Sequence, residues 1–316
     1  MQNLKILVFI ALGFLAAATG ADLMARCDPS YAGWRFHDTD KIPHEPRAHH
    51  AMSDWLVYCQ GLESIPELLK APQVLFLGNS RAQFAFRQEF LQDFRRQTGL
   101  QAYTLGFGNE GMSFAWHLIQ RFDLRPRLVV IDADHFFTDL IGPLGQRAID
   151  QSAWEARRTL MEDRTSWLVR RHLHRWIPQY SPTSDARWVI YRDYATGAWL
   201  VVTAPNDRAP VRLAPEKDEV HPDTLAAALA FLHRMRGRGS EVVLTHIPGG
   251  ITSRKQVEQL ARKLGLPLLA PEVTGLNTCD GSHLDEPSAR RFCRAFLQLV
   301  KEHPELFPSP GDSKKT

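Results

Sequence analysis

With 316 residues, 44% hydrophobic and 23% charged, the chain has the composition of an ordinary globular protein with material for a sizeable core. Its 38 basic and 35 acidic residues leave a formal charge of only +3, dispersed rather than gathered in one block. Nothing here supports nucleic-acid binding, which needs a concentrated basic face.

The first residues read as an export segment. Lys5 precedes an apolar run from Ile6 to Ala18, and small residues follow before Asp22. A basic start, an apolar stretch and small residues fit a secretory signal. The expectation is a signal peptide or N-terminal membrane anchor over residues 1–21, and hence a periplasmic or extracytoplasmic location. Residues 22–70 are irregular, marked by Pro29, Pro43, Pro46 and Pro66, and read as a lead-in packed on the main domain.

Alternation of apolar strands with helices begins at residue 71. Gln73–Leu77, Ala102–Leu105, Leu128–Ile131, Glu241–Thr245 and Leu266–Leu269 predict five strands, the last an edge because of Pro267. Helices are predicted over 82–97, 112–122, 224–236 and 254–264. A final helix carries Ala289, Phe292, Cys293, Phe296 and Val300 on one face. This is an α/β chain: a three-layer α/β/α domain over residues 71–303, with a mainly parallel sheet of about five strands in flavodoxin-like order. Residues 143–220 interrupt the alternation and read as an inserted segment, partly helical and Arg-rich, with a hairpin whose arms flank Ala195-Thr196-Gly197. From residue 304 a disordered tail is expected.

Four cysteines form two local pairs, and in an exported chain nearest-neighbour disulfides Cys27–Cys59 and Cys279–Cys293 are expected. No C-x-x-C spacing or completing histidine pair suggests a metal, and no cofactor is expected.

In an open parallel sheet, ligands gather outside the carboxyl ends of the strands. There the sequence places Gly78-Asn79-Ser80-Arg81, a glycine-rich turn over 106–111, Asp132-Ala133-Asp134-His135, His246, and Asp280-Gly281-Ser282-His283. A serine hydroxyl needs a base, and His283 with Asp280 three residues earlier supplies a base and its orienter. Ser80 alone would more often be a helix cap; the joint placement of the three residues carries the reading.

Gly78-Asn79-Ser80-Arg81 after a first strand, with Asp280-x-x-His283 before the last helix, resembles the SGNH/GDSL hydrolase superfamily. The similarity is greatest to its exported branch of alginate O-acetylation and D-alanyl transfer proteins. The resemblance covers about residues 71–140 and 240–300. It implies a catalytic Ser80, His283 and Asp280, and an acyl ester substrate such as an acylated saccharide, with a membrane-bound acyl-transfer partner possible in that branch. It also implies an oxyanion hole from the Ser80 N–H and a glycine N–H. Gly106, Gly108 and Gly111 are the alternatives, with Gly111 favoured and Asn109 as a substitute side-chain donor. Asp132 and Asp134 stand where the family has an asparagine, and with His246 they are secondary site candidates. Two other readings are weighed. One is an α/β-hydrolase, whose triad Asp and His usually lie on different loops. The other is a catalytically poor module that binds polysaccharide or scaffolds an envelope assembly.

Overall fold

The computed structural model describes Gly13 and residues 36–37, 48–62, 64–162, 189–203, 208–217 and 219–307. Apart from Gly13, the expected export segment lies outside these residues, as do Cys27 and the Arg-rich run at 170–175. Among the described residues no helix is long and apolar enough to cross a membrane.

The chain enters through β1 (Phe36–His37), α1 (Ala48–Cys59) and α2 (Ile65–Lys70). β2 (Val74–Gly78) is the first strand of the central sheet and runs straight into α3 (Ser80–Ala85) and α4 (Gln88–Thr98). The single helix predicted over 82–97 is thus two. The break at Phe86 lets that ring turn inward onto Phe76 and Phe90, each 4.8 Å away between centroids. Gly99 ends α4 in the left-handed conformation at φ 72°, which glycine adopts without a Cβ penalty.

β3 (Ala102–Gly106), α5 (Met112–Arg121), β4 (Leu128–Asp132) and α6 (Pro143–Asp150) follow. The insertion contributes β5 (Val189–Arg192) and β6 (Trp199–Thr203), paired antiparallel as the predicted hairpin, with β1 added to the outer edge of β5. β7 (Ala209–Pro210), α7 (Pro222–Arg236), β8 (Glu241–Thr245), α8 (Arg254–Leu264), β9 (Asn277–Thr278) and α9 (Glu286–Glu302) complete the order.

The central sheet is parallel, in the order β3-β2-β4-β8. Among the described residues four strands form it rather than five. The predicted fifth is a single parallel bridge, Leu244 to Leu268, beside β8. Pro267 can accept there, from the Leu244 N–H at 2.9 Å, but has no N–H to extend a ladder. Strand alternation divides the core in two. Leu75, Leu77, Tyr103, Leu105, Val129 and Ile131 face α1, α5, α7 and α8. Val74, Phe76, Leu128, Val130 and Val243 face α3, α4 and α9. That division is the three-layer α/β/α architecture.

Two expectations are corrected. Cys279 and Cys293 are free thiols: one donates to the His283 carbonyl (3.5 Å), the other, on α9, to the Ala85 carbonyl (3.1 Å). Cys59 is also free and buried. Residues 304–307, expected to open a disordered tail, are ordered. Pro304–Leu306 form a 3₁₀ turn, and Phe307 is buried against Phe94 at 5.6 Å.

Candidate active site

β2 delivers the serine. A Cβ on Gly78 would lie 2.6 Å from that of Ala82 and 3.2 Å from that of Asp132, so the strand-to-helix turn needs glycine there. Asn79 caps α3: its Oδ1 accepts from the Arg81 N–H at 2.9 Å. Its Nδ2 donates to the Asp134 carbonyl at 3.3 Å. An aspartate could make the first of these bonds but not the second, so the asparagine ties the turn to the loop after β4. Ser80 is the first residue of the helix.

The loop between β9 and α9 brings His283 and Asp280 to Ser80. His283 Nε2 lies 2.8 Å from Ser80 Oγ, and His283 Nδ1 lies 2.7 Å from Asp280 Oδ2. Asp280 Oδ1 accepts from the backbone N–H groups of Ser282 (3.0 Å) and His283 (2.8 Å). Burial alone would raise the Asp280 pKa. The His283 hydrogen bond and charge and the two backbone donors outweigh it and bring the carboxyl down to about 2. The carboxylate therefore stays ionised and fixes the imidazole. The three residues singled out in sequence form one hydrogen-bonded relay.

The glycine-rich turn is arranged otherwise than expected. The Gly111 N–H donates to the Leu140 carbonyl at 3.1 Å, and a Cβ there would strike Thr138 at 2.6 Å; Gly111 is packed and has no N–H to offer. Gly106 abuts the turn that leads into Ser80, its Cβ position 3.0 Å from the Gly78 carbonyl and 3.1 Å from that of Asn79. Gly108 faces open space, and among the described residues its N–H, like that of Ser80, has no backbone acceptor. Asn109 is exposed, at a left-handed φ of 58°, a conformation asparagine tolerates. Among the described residues its side chain makes no bond to the relay.

The carboxylates of Asp132, the last residue of β4, and of Asp134 just after it are both fully buried. Asp134 is paired with Arg81 and accepts from the Thr252 N–H at 2.8 Å. Arg81 in turn reaches Ser282 Oγ at 3.3 Å, so this ion pair braces the loop that carries His283. Asp132 accepts from the Ile247 N–H at 3.2 Å, while its Oδ2 has no partner. Burial pushes its pKa up to about 7, against the opposing pull of Arg81 and the Ile247 N–H. His246 is nearly buried, with Nε2 3.1 Å from the Thr252 carbonyl. The secondary candidates thus form a polar support behind Ser80 rather than a second reactive cluster.

Four residues that sequence reasoning did not single out matter here. Phe84 lies against the His283 ring, centroids 4.4 Å apart. Gln83 and Arg192 both donate to the Gly106 carbonyl, at 2.9 and 2.6 Å. Glu110 is buried and accepts from Trp55 Nε1 (2.9 Å) and from the Gly142 (2.7 Å) and Gly145 (3.1 Å) N–H groups at the start of α6. A lone glutamate after a glycine turn was the only available signal for the last. Of the insertion's tryptophans, the two among the described residues differ: Trp154 is exposed, whereas Trp199 packs on Phe84 of the main domain at 5.7 Å. A groove of about 410 Å³ between α4 and α9, lined by Arg87, Glu89 and Arg290 among others, contains none of the relay residues.

No protein-family profile and no curated protein matches the chain. Among solved structures it is similar to a candidate acylhydrolase from Bacteroides fragilis, with 13% identity over 72% of this chain and 86% of that one, at a TM-score of 0.32. It is likewise similar to a GDSL-like lipase from Bacteroides thetaiotaomicron, with 11% identity over 79% of this chain and 98% of that one, at a TM-score of 0.34.

Proposed function

We propose that this chain is a serine esterase or O-acyltransferase that works through Ser80, His283 and Asp280. The observation that carries the reading is the continuous relay, 2.8 Å from Ser80 to His283 and 2.7 Å from His283 to Asp280, at the carboxyl end of a parallel sheet. In the first half-reaction Ser80 Oγ attacks the acyl carbonyl and its proton passes to His283 Nε2. The tetrahedral oxyanion meets the N–H groups of Ser80 and Gly108. The alkoxide then leaves with the proton from His283, giving an acyl-serine. A water or hydroxyl acceptor reverses these steps: His283 takes its proton, its oxygen attacks the acyl carbon, and Ser80 Oγ recovers the proton.

The resemblance to the exported SGNH branch and the apolar N-terminal segment favour an acylated saccharide of the cell envelope or an exopolysaccharide as substrate. They also favour an extracytoplasmic site of action. Hydrolysis and transfer share the first half-reaction, so the test addresses that step. A fluorophosphonate probe should label the wild type and not Ser80→Ala, and a short-chain p-nitrophenyl ester should be turned over only by the wild type. Absence of both from folded wild-type protein refutes the proposal.

A further inference from the structure

The segment after β3 is held between two buried anchors from distant parts of the chain. At its start, the Gly106 carbonyl accepts from Gln83 at 2.9 Å and from Arg192 Nη2 at 2.6 Å, filling both acceptor positions. At its end, Glu110 is fixed by Trp55 and by the first turn of α6. Between them, a Cβ on Gly108 would meet no atom within 4 Å, and among the described residues the Gly108 N–H has no backbone acceptor.

Arg192 comes from the insertion and is 1% exposed. Its guanidinium pairs with Asp54 of α1, also fully buried, and donates through Nε to the Gly197 carbonyl at 3.0 Å. It also lies over the rings of Tyr58 (4.5 Å) and Phe107 (4.3 Å), and Phe107 is the residue between Gly106 and Gly108. A planar cation with forked donors can satisfy two carbonyls and a carboxylate while stacking on a ring; an ammonium cannot. The hairpin that carries Arg192 is itself seated on β3: the Thr196 carbonyl accepts from the Thr104 N–H at 2.9 Å.

We propose that Arg192 is a positioning residue for the oxyanion hole, holding the Gly106 carbonyl and the Phe107 ring so that the Gly108 N–H faces the acyl oxygen. The insertion and the lead-in helix, through Arg192 and Asp54, thereby complete the site rather than decorate it. This rests on the acyl-transfer reading above.

The experiment compares full-length wild type, Ser80→Ala, Arg192→Lys, Arg192→Gln and the paired Asp54→Asn/Arg192→Gln variant, using a p-nitrophenyl ester and a fluorophosphonate. Misplacing one oxyanion donor should lower kcat by about 30-fold or more with KM within about threefold, because the lost interaction exists only in the transition state. Fluorophosphonate labelling should slow by a similar factor, and the midpoint of the kcat/KM pH profile should stay in place, since the relay is untouched. A folded Arg192 variant with wild-type kcat overturns the inference, as does a loss carried by KM or by a moved pH midpoint. Should Arg192→Gln fail to unfold cooperatively, Arg192→Lys and the paired variant, which leaves no lone buried charge, decide the question. Wild type that behaves as Ser80→Ala overturns the acyl-transfer reading and this inference together; active wild type with equally active Arg192 variants overturns this inference alone.

Discussion

Phe84 touches both the His283 imidazole, with centroids 4.4 Å apart, and the Trp199 indole, at 5.7 Å. The ring is 2% exposed and lies on the helix that begins at Ser80, so His283 and the insertion meet on one side chain. Packing of this kind restricts the imidazole to the rotamer that reaches Ser80 Oγ. Phe84→Leu should therefore lower kcat about tenfold with little change in KM, and cost about 1–3 kcal/mol of stability. Steady-state kinetics beside urea unfolding test this, and an unchanged kcat in the destabilised variant would show that His283 needs no such support.

Asp280 gives a second prediction. Its carboxyl is held at about 2, so the stability it contributes is fully present above the ordinary carboxylate range near 4 and is lost as pH falls toward 2. With the group partly exposed, that contribution is on the order of 1–2 kcal/mol. Asp280→Asn should lose kcat by roughly 10³-fold or more while keeping the fold, because the tautomer and orientation of His283 are no longer fixed. Its acid-unfolding profile should be flatter than that of wild type below about pH 4; superimposable profiles would argue against the ion pair.

The relay was legible in sequence because each of its parts is local. Ser80 follows an apolar run that ends in Gly78, and Asp280 and His283 share one short loop whose backbone N–H groups complete the carboxylate. Strand and helix positions were legible for the same reason, with Gly99 and Gly265 marking C-termini. What was not legible depends on partners far away in the chain. Arg192 meets Asp54 across 138 residues, and no local pattern at either position announces a buried pair. Gly106, Gly108 and Gly111 look alike in sequence; the Leu140 carbonyl removes one of them from contention. An even cysteine count suggested a bridge, but Cys293 sits on the α9 face that meets Ala85.

Asp132 should make stability depend on pH in the opposite sense to Asp280. Its folded pKa of about 7 lies above its ordinary value of 3.8, so between those values the folded state holds a proton that the unfolded state has released. Stability from this group is therefore highest at low pH and falls as pH rises toward 7, by at most about 4 kcal/mol. Asp132→Asn, neutral throughout, should gain on wild type across that window. The difference between their urea midpoints, followed from pH 4 to pH 8, isolates the effect, and a constant difference would mean that Asp132 does not titrate there.

Substitutions at two glycines separate packing from N–H donation. Gly111→Ala forces a methyl to within 2.6 Å of Thr138 Oγ1 and 2.8 Å of its carbonyl, so it should destabilise by about 1–3 kcal/mol. Gly108→Ala adds a methyl into open space and keeps the N–H, so stability and kcat should stay close to wild type. Gly108→Pro removes the N–H and should lower kcat by about 10²- to 10³-fold if that group meets the oxyanion. Fluorophosphonate labelling should follow kcat in both Gly108 variants, since the phosphonyl oxygen occupies the same place as the acyl oxygen. Equal losses in Gly108→Ala and Gly108→Pro would point to loop shape rather than to the N–H, and full activity in a folded Gly108→Pro would remove Gly108 from the oxyanion hole altogether.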